Sequence, residues 1–102
     1  MTTKKKDSPI SMVEFPALRD FLRGYFHEDL AEDYGSPEAA AQQFRQDADV
    51  AQRKALAEEW TQFLVRMKGQ PLEALNQALI ALGSAWQLNQ ADLDEVSRIL
   101  QF

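Results

Sequence analysis

His27 is the only histidine in the chain, and Glu28 and Asp29 follow it directly. A histidine oriented by a carboxylate has the makings of a general base. The partners such a base would need are missing. There is no cysteine, and no serine stands in an elbow-like setting. Zinc needs three or four ligands, usually with a second His or Cys among them, and neither exists. Glu28, Asp29, Glu32 and Asp33 are dense enough to suggest a Ca²⁺ loop. Their spacing fails that pattern, because Leu30 and Ala31 stand where ligands belong. No glycine-rich phosphate loop is present. The expectation is a non-enzymatic chain with no metal, no cofactor and no small-molecule substrate. A lone histidine at the end of a helix compensates the helix dipole instead.

The same acids argue for binding. Net charge is −5; without Lys4, Lys5 and Lys6 the body holds eight bases against sixteen acids. Over residues 27–49, seven acids (Glu28, Asp29, Glu32, Asp33, Glu38, Asp47 and Asp49) face one base, Arg45. Such a field repels phosphate backbones and attracts basic surfaces. A helix-turn-helix in the last third fails on sign, since Asp92, Asp94 and Glu95 outnumber Arg98. Nucleic acid is therefore not the expected partner. No apolar run reaches the roughly 18 residues needed to span a bilayer, and no apolar stretch follows the basic start as in a signal peptide. A chain without cysteine fits the cytoplasm. Tyr34, set among the acids, is the aromatic expected to anchor a contact.

At 102 residues with 45% apolar content, the chain is expected to form one domain over 13–102 behind a flexible tail, 1–12. Helical spacing predicts a first helix over about 15–27, with Phe15, Leu18, Leu22, Tyr25 and Phe26 on one stripe. Arg19, Asp20 and Arg23 point away from it, and Gly24 is read as room for a neighbouring helix. Residues 28–35 are predicted as a connection. Gly35-Ser36-Pro37 is a stop followed by a cap and a first-turn proline. It opens a second helix over about 37–47, whose apolar face is thin. A third helix follows, about 50–68, with Leu56, Trp60, Phe63, Leu64 and Met67 inward; a kink or short break across Asp47-Ala48-Asp49 is expected before it, with one continuous helix as the alternative. A fourth, about 71–82, is apolar nearly all round at its C-terminal end and stops at Gly83. A fifth, about 90–101, has Asn89 or Asp92 as its cap. The fold class is all-α, a compact bundle of four to five helices.

Phe15-Pro16-Ala17-Leu18, then Phe21-Leu22-x-Gly24-Tyr25-Phe26-His27-x-Asp29, then Tyr34-Gly35-Ser36, resembles the small helical immunity proteins of bacterial contact-dependent growth inhibition, the CdiI type. Glu28 stands where that family usually has glutamine, and Leu30 where it often has tryptophan. Leu82-Gly83 followed by Trp86 is similar to the family's Leu-Gly-x-x-aromatic ending. The resemblance implies a cytoplasmic protein that binds the C-terminal toxin domain of a cognate effector and blocks it. Many such effectors are nucleases, whose basic surfaces an acidic inhibitor suits. The toxin-binding residues expected here are Glu28, Asp29, Glu32, Asp33 and Tyr34, with Glu38 behind them. Tyr25, Phe26, His27 and Gly35 carry the motif and are expected to be structural. The rival expectation is a helical interaction module or self-associating subunit unrelated to toxins; an enzyme using His27 with Asp29 is the third.

Overall fold

Ser36 and Pro37 start a helix as their order demands. The Ser36 hydroxyl accepts the Ala39 N–H at 3.1 Å, and the proline takes the first position, where no N–H is needed. The same chemistry recurs along the chain in a computed structural model, which describes residues 15–101. Among them are six helices: α1 (Pro16–Tyr25), α2 (Leu30–Asp33), α3 (Pro37–Asp47), α4 (Val50–Arg66), α5 (Leu72–Leu82) and α6 (Gln90–Leu100). No strand occurs among the described residues. The all-α expectation holds. The helix count does not: the sixth helix is α2, a single turn inside the expected connection, anchored by the fully buried Leu30. The expected tail over 1–12, with Lys4, Lys5 and Lys6, lies outside the described residues.

The break between α3 and α4 is built, not incidental. Ala48 and Asp49 are extended. Asp49 accepts the Gln52 N–H at 2.8 Å while the Gln52 side chain accepts the Asp49 N–H at 2.9 Å, a reciprocal cap that restarts the helix. Asn89, not Asp92, caps α6, accepting the Asp92 N–H at 2.7 Å. At the start of α1, Phe15 offers no side-chain cap. A carboxylate oxygen of Glu59, from α4, accepts the Leu18 N–H at 2.8 Å instead, satisfying an orphan amide across the core.

One core runs through the domain. Trp60, Phe63, Phe15, Phe21, Phe26, Leu79 and Leu82 are among its most buried side chains. Each large apolar side chain buried this way contributes about 1.5–3 kcal/mol. Ala40 and Ala41 are small enough to let α3 lie close to its neighbours, with α6 its most extensive contact. Asn76, the buried polar residue of α5, clamps the following connection: its amide accepts the Leu88 N–H at 2.7 Å and donates to the Leu88 carbonyl at 2.8 Å. Among the described residues no helix is long and apolar enough to cross a membrane.

Two glycines differ in what they do. Gly24 is exposed, and a Cβ there would meet nothing within 4 Å, so it makes no room for a neighbouring helix. Gly83 sits at φ +128°, and a Cβ there would lie 2.6 Å from the Arg23 Cγ. Arg23 thus packs its stem over the α5 terminus. Gly24→Ala is expected to stabilise the protein by about 0.5–1 kcal/mol, and Gly83→Ala to destabilise it by more than about 1 kcal/mol. Thermal melts of both variants check this, and a lowered melting temperature for Gly24→Ala would contradict it.

Candidate functional site

The acidic segment begins where α1 stops. Phe26 is fully buried, and its carbonyl accepts the Ala85 N–H at 2.8 Å, tying this corner to the connection after α5. The chain then turns through His27–Asp29 into α2. Leu30 points inward, and Tyr34 and Gly35 both return an N–H to the Leu30 carbonyl, at 2.8 and 3.1 Å. Gly35 closes the turn at φ +92°, a left-handed value that favours glycine. With Leu30 as the inward residue, Glu28, Asp29, Glu32 and Asp33 are all left exposed.

His27 serves this turn. Its Nδ1 accepts the Asp29 N–H at 3.1 Å, so the ring proton lies on Nε2, which faces the Asp33 carboxylate at 3.4 Å. Both ring nitrogens are therefore engaged within the segment itself. Among the described residues no three His, Cys, Asp or Glu side chains converge as metal ligands would.

Aromatic rings fix the acidic segment to the core. Tyr34 stacks on Tyr25 at 5.6 Å between centroids, and Tyr25 stacks on Phe21 at 5.6 Å. Phe44 of α3 meets Phe21 and Tyr25 edge-on at 5.2 and 5.6 Å. Tyr25 also donates its hydroxyl to Asp47 at 2.7 Å. Burial, with that hydrogen bond and the Asp47 charge, pushes the Tyr25 phenol up to about 12. The Tyr34 phenol is raised too, by burial first and then by the Asp33 and Asp47 charges. Both rings stay neutral donors at physiological pH.

Glu38 stands apart from the row. It is half-buried in the first turn of α3, and its carboxyl pairs with Asp92 of α6. A hydrogen bond with a protonated Asp92 lowers the Glu38 value, and the same bond, with burial and the Glu38 charge, raises that of Asp92. Four expected contact acids thus lie together, Tyr34 is half-buried beside them, and Glu38 faces another helix.

The sequence reading missed a groove on the other side of Tyr25. It lies between α1, the end of α3 and the start of α4, and measures about 430 Å³. Phe21, Phe44 and Leu56 line it with small residues of α4, Ala51 and Ala55. Asp20 and Asp47 line it as well. The local signal was there in Ala48, Ala51 and Ala55, whose small side chains leave the space unfilled.

Residues 14–86 match the family model CdiI_2, described as CdiI immunity protein. The match spans both the acidic segment and the groove. No curated protein and no solved structure matches the chain.

The opposite shifts of Glu38 and Asp92 have a pH consequence. Asp92 binds its proton more tightly folded than unfolded. That contribution is present below the ordinary aspartate range and is lost as pH rises through the raised folded value. Glu38 runs the other way: its contribution is present above the ordinary glutamate range and is lost as pH falls through the lowered folded value. Asp92→Asn supplies an amide donor to Glu38 at any pH. The variant is expected to be more stable than the parent near pH 7, by no more than about 1 kcal/mol for so accessible a pair. The advantage should vanish in acid, where Asp92 holds its own proton. Urea titrations at the two pH values check this; an advantage that persists in acid would show that loss of the Asp92 proton is not its source.

Proposed function

The chain belongs to the CdiI immunity protein family, and from that premise we propose that it neutralises a cognate contact-dependent growth inhibition toxin domain in the cytoplasm by binding it through the acidic face of residues 28–34. Toxin neutralisation comes with the family. The face is our reading of how this member does it, and the observation that carries it is the row Glu28, Asp29, Glu32 and Asp33, exposed on a turn pinned from beneath by Leu30 and Tyr34.

Pinning matters for binding. A carboxylate row on a fixed turn meets its partner with less ordering cost than one on a loose loop. Exposed charges add little affinity singly, but together they steer encounter and penalise acidic competitors. A toxin domain that grips phosphates carries a basic surface, so a nuclease is the toxin class this face suits best. Glu38, paired with Asp92, adds to the field rather than to the direct contacts. Tyr34 offers the edge not covered by Tyr25 as contact area. The protein acts as a stoichiometric binder and not as a catalyst.

The test is to look just upstream of its gene for one encoding a large secreted protein and to measure binding to that protein's C-terminal domain at low and high salt; no such gene, or no binding, would count against the proposal. Tight binding that weakens with salt is expected. Asp29→Lys combined with Asp33→Lys should weaken binding roughly 10- to 100-fold while leaving the helical circular dichroism signal unchanged. Wild-type affinity and protection in that double variant would remove the acidic face from the interface.

A further inference from the structure

We propose that the groove between α1 and the α3–α4 corner receives an arginine side chain of the partner protein, an inference that rests on the toxin-binding reading above and names a second contact for it. The groove makes two demands on an occupant. Phe21, Phe44, Leu56, Ala51 and Ala55 present apolar surface that gains from being covered. Asp20 and Asp47 line the same space, and no Lys, Arg or His is among the residues around it. A purely apolar side chain would cover the floor but strip water from the two carboxylates without replacing it. An acidic one would be repelled. A basic head on an aliphatic stem satisfies both demands, the stem on the floor and the charge at the acids.

Arginine fits better than lysine. Guanidinium is more weakly hydrated than ammonium, presents a fork of donors, and lies flat against aromatic rings. Phe44, which lines the groove and meets Phe21 and Tyr25 only edge to face, supplies such a ring. Asp47 is already oriented: one of its oxygens accepts from Tyr25 at 2.7 Å and the other from the Gln43 amide at 2.8 Å. A carboxylate has about four acceptor positions, so Asp47 retains capacity for an incoming donor. Asp20 touches Arg19 only at 3.7 Å, and its side chain is 76% exposed, so it is available to re-pair. Tyr25 joins the groove to the acidic face, because its ring stacks on Tyr34 while its hydroxyl holds Asp47.

The experiment has two arms. In the first, the isotope-labelled full chain is titrated with n-butylguanidine, n-butylammonium and n-butanol, and backbone amide shifts are followed. Saturable shifts are expected at residues 17–21 and 44–56, strongest with n-butylguanidine and lost in Asp20→Asn combined with Asp47→Asn. Equal shifts from n-butanol, shifts elsewhere, or shifts of these amides with protein concentration alone would overturn the assignment, the last by seating a second copy there. In the second, Ala51→Leu, an exposed helical position chosen to fill the groove without disturbing the core, is titrated with the toxin domain. Binding about tenfold or more weaker is expected, with an unchanged melt. Wild-type affinity in Ala51→Leu, while the parent binds, would sink the groove and leave the proposed function standing. If the parent itself fails to bind, the proposed function falls and the toxin with it as the source of the arginine; the n-butylguanidine arm still decides the chemistry of the groove.

Discussion

The column of rings Phe21, Tyr25 and Tyr34 is the interaction on which the accessible face depends. A helix of one turn cannot sustain itself, since nucleation costs more than its few hydrogen bonds return. Its acids make matters worse, because like charges set closely on one turn repel. What holds α2 in place is tertiary: Leu30 buried beneath it and Tyr34 stacked at its end. Stacked and edge-to-face ring pairs are each worth about 0.5–1.5 kcal/mol beyond the area they bury. Phe21 is itself buried to 2% exposure, so the column starts in the core and ends at the acids. The Tyr25 hydroxyl then ties the column to Asp47 at the end of α3. One residue thereby sets the position of α2 against the α3–α4 corner.

The charge imbalance of the body is tolerated because nearly all of it is left in water. Exposed acids repel weakly and are screened by salt. The Glu38–Asp92 pair is the exception. There two helices that pack closely bring two carboxyls together, and their values move apart, Glu38 down and Asp92 up. The contrast separates two kinds of acid in one chain. Those of residues 28–33 face solvent and are free to meet a partner, whereas Glu38 is occupied with the fold.

The helices with conventional signals were legible because those signals are local. Ser36-Pro37 opens α3 where expected, Asn89 caps α6, and the Leu56–Trp60–Phe63 stripe is buried. The break at Ala48–Asp49 was only half legible: a kink or short break was favoured over a continuous helix, and the reciprocal cap of Asp49 with Gln52 that makes the break was not drawn from the spacing. What escaped was either too short or too distant. A four-residue helix with a single buried apolar residue has no period to detect. The acid row could be seen as charge but not as geometry, because Leu30 and Tyr34 define it only once the core exists. Tyr25 with Asp47 spans 22 residues and Glu38 with Asp92 spans two helices, and no spacing rule connects either. The groove is a negative feature, made by what Ala51 and Ala55 do not fill.

The placement of face and groove on either side of Tyr25 gives them separable kinetic roles. Exposed carboxylates on a fixed turn act at distance, so they govern how often a basic partner arrives in a useful orientation. Surface of that kind releases its partner readily, since each exposed pair contributes only about 0.2–1 kcal/mol. Slow release needs desolvated area in a concave site, and the groove beside Phe21 and Phe44 is where this protein has it. The two act on the same partner only if their spacing is rigid, because a contact made at one raises the effective concentration at the other only when geometry permits both. Tyr25 meets that condition with its ring and its hydroxyl, one holding the acidic turn and the other the groove's carboxylate. On the proposed reading, two weak elements joined by one rigid residue let a small acidic protein combine fast capture with slow release.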